Sequence, residues 1–263
     1  MKISYEDLYK RNIGIITKEE QEKIKKARVA VLGCGGGSDT ARQLVASGFV
    51  NLILADYDTV DYHNLNRQFY FREDIGKNKA QSLAKNLKLI NPDINVDVWT
   101  KPIDEENVKI AVQNSDLIID AIPPETSIRQ EIVLNREVRK SDNKYQLYFM
   151  DIIWGAKALV FSKNSQTFEE YLGLKPGCDL KDTDKLTLED LTRPYMEDAS
   201  SEMMRVGQMM YRQELDYFPQ MAISISLAAS MVTTLCIFLT LGKKIKFAPY
   251  TFNVDYFKLF IDR

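Results

Sequence analysis

The chain has 263 residues, 45% of them apolar and 27% charged, and 35 basic against 37 acidic side chains leave a formal charge of −2. That balance belongs to a chain able to bury a large core, and it excludes the basic excess with which a general nucleic-acid binder holds phosphates. Three scattered cysteines and a single histidine, His63, supply neither a disulfide framework nor the usual zinc ligand sets, and they leave a Ser-His-Asp triad without its base. The first twelve residues lack the apolar stretch of a signal peptide, so a reducing, cytoplasmic setting is expected.

Taken in chain order, residues 5 to 26 are expected to be helical, with a charged run from Gln21 to Lys26 forming a solvated face. Arg28 to Gly33 is a short apolar run closed by glycine, the pattern of a buried parallel strand. Thr40 to Ser47 follows as a helix, and Asn51 to Asp56 as a second strand ending in an acid. Lys79 to Ile90 is an amphipathic helix stopped by Asn91-Pro92; Val96 to Thr100 is a strand, Asp104 to Asn114 a helix and Leu117 to Asp120 another strand. This alternation predicts an α/β, Rossmann-like, doubly wound and mostly parallel sheet. Gln146 to Asp151, Ala158 to Phe161 and a closing strand within Tyr250 to Leu259 would extend it as a mixed sheet.

The expected organisation is one domain over residues 1–263. It comprises an N-terminal helical segment (1–26), a nucleotide-binding core (27–163), a polar peripheral excursion (164–216) and a buried helix with the closing strand (217–263). From Tyr217 to Gly242 no residue is charged, and Met221 to Leu241 is long enough to cross a bilayer at about 1.5 Å per residue. Hydroxyls at Ser224, Ser226, Ser230, Thr233, Thr234 and Thr240, without an aromatic belt at both ends, favour a buried helix or a dimer contact over a membrane span.

Four of the twelve glycines crowd into Gly33-Cys34-Gly35-Gly36-Gly37 between the first strand and the first core helix. Such a turn lets backbone N–H groups and a helix N-terminus approach a phosphate with no Cβ in the way. Asp56, ending the next strand, stands where a carboxylate accepts from a ribose diol. A glycine turn alone serves a nicotinamide dinucleotide as well as ATP. A triphosphate needs added cations, and the next segment supplies Arg67 and Lys79, with Asn64 and Gln68 as neutral partners.

At this point the sequence resembles a family. Tyr9-Lys-Arg11-Asn, Gln21, Gly33-Cys-Gly35-Gly36, Asp56-Tyr-Asp58-Thr-Val, Asn64-Leu-Asn-Arg67-Gln68, Gly76-Lys-Asn-Lys79, Ile90-Asn-Pro92 and the strand ending Asp120 follow in the order seen in the ThiF/MoeB/HesA family of ubiquitin-activating-type adenylyltransferases. The resemblance is specific through residue 120; later, Pro219 before the apolar helix and the closing strand also fit the plan. It implies ATP with Mg²⁺ and adenylation of a carboxylate on a ubiquitin-like carrier protein, a peptide or a small acid; the paired CxxC sequences with which many relatives hold zinc are absent, so no zinc is expected. Gly33, Gly35, Gly36, Asp56, Asp58 and Asp120 would then hold the nucleotide, while Asn64, Arg67, Gln68 and Lys79 line its phosphates. Arg11, Arg67 and Lys79 would be the catalytic cations, Arg11 reaching into the partner's site of a homodimer. Neither nucleic acid nor a membrane is implied as a partner.

The pattern departs from the family in lacking a well-placed catalytic cysteine and in its metal-binding acid. A second, metal-binding acid is expected three residues after Asp120, and Pro123 stands there, with Glu125 two residues on. This departure motivates one alternative, a catalytically impaired partner or scaffold subunit; the glycine turn and Asp56 alone leave a second, a nicotinamide-dependent oxidoreductase. Cys178, in Lys175-Pro-Gly-Cys, is the one loop thiol available for a thioester, and Cys34 and Cys236 are expected to be buried. Met203, Met204, Met209 and Met210 are expected to make core contacts of an interrupted helix rather than a peptide-binding surface.

Overall fold

Short apolar runs become parallel strands where helices cover both faces of the sheet, and here they do so around a single seven-stranded layer. The computed structural model describes residues 3–262, apart from the side chains of residues 124–126, 188, 194 and 195. The strands are β1 (Arg28–Leu32), β2 (Asn51–Ala55), β3 (Asn95–Trp99), β4 (Leu117–Asp120), β5 (Tyr145–Asp151), β6 (Gly155–Phe161) and β7 (Phe252–Asp255). Their order is β3-β2-β1-β4-β5-β6-β7. The first five are mutually parallel and the last two are added antiparallel. The mixed Rossmann-like sheet expected from the strand–helix alternation is therefore present.

The helices are α1 (Tyr5–Leu8), α2 (Lys18–Lys26), α3 (Gly37–Ser47), α4 (Lys79–Lys88), α5 (Glu105–Asn114), α6 (Pro124–Val138), α7 (Phe168–Tyr171), α8 (Leu188–Met196), α9 (Ser201–Tyr211), α10 (Ala222–Thr240) and α11 (Tyr256–Phe260). Strand parity sorts the core. Val29, Val31, Leu52, Leu54, Leu117, Ile119, Leu147 and Phe149 face one way, against α3, α4 and α10. Ala30, Leu32, Ile53, Ala55 and Ile118 face the other, against α5 and α6. Further along that second face, Tyr148, Met150, Leu159 and Phe161 meet Phe168, Leu172, Met203 and Val206.

Three expectations change. Residues 5–26 do not form one helix, because Gly14 turns the chain at φ +110° and Thr17 starts α2 afresh with a capping box to Glu20. The closing strand is confined to β7, since the Asp255 carboxylate accepts from the N–H groups of Phe257 and Lys258 and initiates α11. Helix α6, with a proline in its first turn, follows β4 where no helix was expected. The excursion 164–216 carries short helices capped by Thr167, Thr187 and Ser200. Met203 is buried and Met210 packs beside it, while Met204 is exposed.

Helix α10 is long and apolar enough to cross a membrane by length and composition. It lies against α3, β5 and β6 instead, burying Ile225, Ala228, Ala229, Val232, Leu235 and Cys236. A more local device ends α9. Gln213, exposed and at φ +59°, donates to Met210 O (2.9 Å), and Glu214 N–H donates to Met209 O (2.9 Å). That is a Schellman cap with a β-carbon at the position that favours glycine. Gln213→Gly is expected to stabilise the fold by about 0.5–1 kcal/mol in urea unfolding; a destabilisation would show that the side chain contributes more than the strain costs.

Candidate active site

The connections from β1 and β4 leave the sheet in opposite directions, because β2 and β4 flank β1 on either side, and a crevice opens at their carboxyl ends. Gly33 lines its floor at φ +93°, and a Cβ there would lie 2.2 Å from the Ala121 carbonyl oxygen. A Cβ on Gly37 would lie 2.6 Å from Val31 Cγ1, so this glycine sets how closely α3 approaches the sheet. Gly35 and Gly36 meet only ordinary contacts, with Gln68 and the Phe149 ring, and their bareness leaves backbone at the crevice wall.

The turn is fastened from three sides. Both Asp56 oxygens accept backbone N–H groups, one from Cys34 and one from Asp58, each at 2.8 Å. Burial raises the Asp56 pKa, an effect these N–H groups and Lys79 oppose. The Tyr70 hydroxyl donates to Cys34 O at 2.6 Å. Ser38 Oγ donates to Gly35 O (2.7 Å) and accepts from Phe69 N–H (3.0 Å). Asp39, which would repel a phosphate if it faced the turn, pairs with Arg42 at 2.5 Å and accepts from Gln43.

Lys79 opens α4 with its side chain only 12% exposed, and Nζ is 3.2 Å from Asp58 Oδ2. Its seat beside Asp56 and Cys34 puts a cation next to the glycine turn. Gln68 packs on Gly35 with Oε1 buried and lacking a partner. Arg67 approaches from the same segment. Its guanidinium donates to Gln220 Oε1 (2.7 Å), Asn66 Oδ1 (2.8 Å) and His63 O (2.9 Å). Gln220 in turn donates to Asp151 Oδ1 at 3.1 Å. Asp151 ends β5 and is 8% exposed; burial raises its pKa while Gln220 and Arg67 oppose the rise.

Asn64 is buried in the turn that carries Arg67 and Gln68, and its Oδ1 caps that turn by accepting from Asp61 N–H at 2.9 Å. Arg11 is exposed on the 3₁₀ turn Lys10–Asn12, whose neighbours Tyr9 and Asn12 hydrogen-bond Val45 O and Ser47 O. Those bonds dock it at the far end of α3, about 16 Å along the helix from the glycine turn. Asp120 shares its parity with Ile118 and points under α6, so it does not line the crevice. Gln146 donates to Asp120 Oδ2 at 2.7 Å and accepts from Asn135 of α6 at 2.8 Å.

Pro123 caps α6 without a carboxylate, and the Glu125 side chain lies outside those described. Among the described residues no three His, Cys, Asp or Glu side chains converge on a common metal position. Burial and the Glu169 carboxylate push the Cys178 thiol upward, which disfavours the thiolate a thioester requires. Cys34 and Cys236 are buried. Asp151 and Gln220 went unnoticed as site residues in the sequence, although Asp151 ends its strand as Asp56 follows β2.

With this geometry in place, comparison with known proteins is decisive for the family. The ThiF family profile matches residues 9–263. The chain belongs to the ThiF family. It is 35% identical over 119 residues to the SAMP-activating enzyme E1 of Haloferax volcanii, a match spanning 44% of this chain and 44% of that protein. It is 32% identical over 126 residues to the molybdopterin-synthase adenylyltransferase of Haemophilus influenzae, spanning 46% and 52%. The ThiF chain thus spans about half the length of these curated relatives. A crystal structure of E. coli MccB with selenomethionine MccA superposes with a TM-score of 0.66 at 20% identity, covering 96% of this chain and 72% of that one. That similarity establishes the shared fold.

The position of Asp120 in this ThiF chain has a measurable consequence. Burial lifts its pKa to about 7. An acid whose folded-state pKa exceeds its unfolded value holds its proton more tightly when folded, so stability falls as pH rises toward 7. Asp120→Asn is therefore expected to gain about 1–3 kcal/mol over the wild type between pH 5 and pH 8, by urea unfolding; a pH-independent difference would refute the assignment.

Proposed function

We propose that this chain is an ATP-dependent adenylyltransferase, which activates the carboxylate of a ubiquitin-like or sulfur carrier protein, a peptide or a small acid as its acyl-adenylate. The observation that carries this reading is the seating of Lys79 beside Asp56 at a glycine turn on the switch point, with Arg67 entering on the segment that packs against the same turn. A pyrophosphate bridge is largely accommodated by backbone N–H groups and a helix end, whereas these two cations suit a triphosphate. The family membership and the names of its relatives support the same chemistry.

In the reaction a carboxylate oxygen attacks the α-phosphorus in line. The bond from that phosphorus to the bridging oxygen breaks, and pyrophosphate leaves with the electron pair. No protein nucleophile is needed, and the catalytic demand is to hold and neutralise oxygens that gain charge. Lys79 supplies a fixed cation. Arg67 must exchange Gln220 for phosphate oxygens to supply the second. Asp56 keeps Cys34 N–H, and with it the turn, in place while its remaining lone pairs are open to a ribose hydroxyl. Mg²⁺ accompanies the triphosphate in this reading, held by phosphate oxygens, water and one or two carboxylates.

A homodimer belongs to the same reading. Ile223 and Phe238 of α10 are 42% and 43% exposed and Ile15 is 88% exposed, apolar surface that a second copy would cover, bringing Arg11 toward the other subunit. All three thiols stand free, in keeping with a reducing, cytoplasmic setting. Pro123 favours the alternative of a catalytically impaired partner subunit that keeps the nucleotide crevice.

Carboxylate-dependent exchange of labelled pyrophosphate into ATP decides between the two. Exchange with at least one carrier protein, peptide or acid is expected; ATP binding without exchange across such a screen would leave the partner-subunit reading, and a preference for NAD over ATP in calorimetric titration would sink both. Lys79→Ala is expected to weaken ATP binding about tenfold more than AMP binding, since a lost charge-assisted bond to the distal phosphates is worth about 1.4 kcal/mol or more. Equal losses for the two ligands would remove Lys79 from the β- and γ-phosphates.

A further inference from the structure

The vacancy of charge at Pro123 has a neighbour on the adjacent strand. β4 and β5 run parallel with Asp120 opposite Tyr148; β4 ends there, three residues before Pro123, while β5 runs on three residues to Asp151. Within β5, Asp151 has the odd parity of Leu147 and Phe149, the face that meets α3 and the glycine turn. Phe149, two residues before Asp151, touches the bare side of Gly36. Asp151 therefore ends β5 on the crevice side, one strand away from the place where Pro123 offers no ligand.

Its surroundings are those of a ligand-binding acid. Asp151 is 8% exposed, Oδ1 accepts from Gln220, and Oδ2 is buried with no hydrogen-bond partner. A carboxylate oxygen left in this way costs about 1–3 kcal/mol unless something fills the position. Among the described residues, the other acids near the glycine turn are engaged: Asp39 by Arg42, Asp56 by two backbone N–H groups and Asp58 by Lys79. The following turn is firm. Ile152 N–H donates to Gly155 O at 3.0 Å, and Ile153 is held at φ +65°, where a β-branched residue seldom sits. Mg²⁺ asks little of the protein, commonly one or two carboxylates with phosphate oxygens and water completing the octahedron. One buried acid with an unpaired oxygen fits that need without a protein cage.

We propose that Asp151 is the metal-binding carboxylate of this chain, its Oδ2 holding the divalent cation that enters with the triphosphate, in place of an acid at position 123. The assignment rests on the adenylyltransferase reading, and a binding experiment separates the two. Mn²⁺ serves as the probe, with the full chain and a non-hydrolysable ATP analogue; affinity is followed by calorimetry and bound metal by paramagnetic relaxation of water protons.

In the wild type, Mn²⁺ is expected to tighten analogue binding about tenfold or more. Asp151→Asn, which keeps an acceptor for Gln220, should bind the analogue without metal within about twofold of wild type and lose the tightening and the relaxation signal. Adding Pro123→Asp to Asp151→Asn should return both. Gln220→Leu distinguishes a metal ligand from a prop for Arg67: the metal response should survive in it. A metal response that persists in Asp151→Asn, or is absent from a wild type that binds the analogue, overturns the assignment alone. No analogue binding with or without Mn²⁺ overturns the adenylyltransferase reading as well.

Discussion

The close passage of Gly33 under the Ala121 carbonyl, with 2.2 Å left for a Cβ that is not there, is the contact on which the crevice depends. Any side chain at that position would force β1 and β4 apart at their carboxyl ends, and those ends frame the switch point. The turn that follows has few internal hydrogen bonds of its own. Asp56, Tyr70 and Ser38 supply them from β2, from the segment before α4 and from the start of α3. A phosphate-binding turn must present free N–H groups, so its rigidity has to come from outside it.

Strand parity then decides what each buried acid does. Asp56 and Asp151 emerge on the α3 face, near Lys79 and Arg67, where their charge has cationic company. Asp120 emerges on the α6 face, where Gln146 is its side-chain donor and burial lifts its pKa to about 7. One residue of strand register separates an acid that can meet a nucleotide from one that stabilises a layer of helix packing. The same parity explains why Asp120 can end its strand as Asp151 does and still be absent from the crevice.

Much of this was legible beforehand because it is periodic or local. The strand runs, the glycine cluster and the paired Arg67 and Lys79 each announce themselves within a few residues, and the mixed sheet follows from their alternation. What escaped detection needs distance. Asn64 has the right type for a phosphate ligand, yet Asp61 three residues earlier draws it into a cap, a choice both readings permit at sequence level. Arg67 and Gln220 are 153 residues apart, and no pattern in either segment links them. Helix α6 was missed because two prolines obscured its start, and residues 164–216 because their helices are short and lean on a core built by other elements.

The Arg67–Gln220–Asp151 chain carries the argument one step further. The Arg67 guanidinium takes neutral acceptors, the Gln220 and Asn66 amide oxygens and the His63 carbonyl, with the buried Asp151 carboxylate one bond beyond Gln220. A direct Arg67–Asp151 pair would be harder to part, because separating two desolvated charges leaves each uncompensated. The amide between them keeps the guanidinium oriented while leaving it exchangeable, and it leaves one Asp151 oxygen unpaired. An incoming triphosphate with its cation would answer both needs at once, phosphate oxygens replacing Gln220 on Arg67 and the metal meeting Asp151. Gln220 itself belongs to the link into α10, the helix that packs on α3, β5 and β6. The Arg67 and Asn66 bonds to Gln220 and the Gln43 bond to Ser226 O thus tie the Arg67 segment and α3 to α10 and the residues that lead into it.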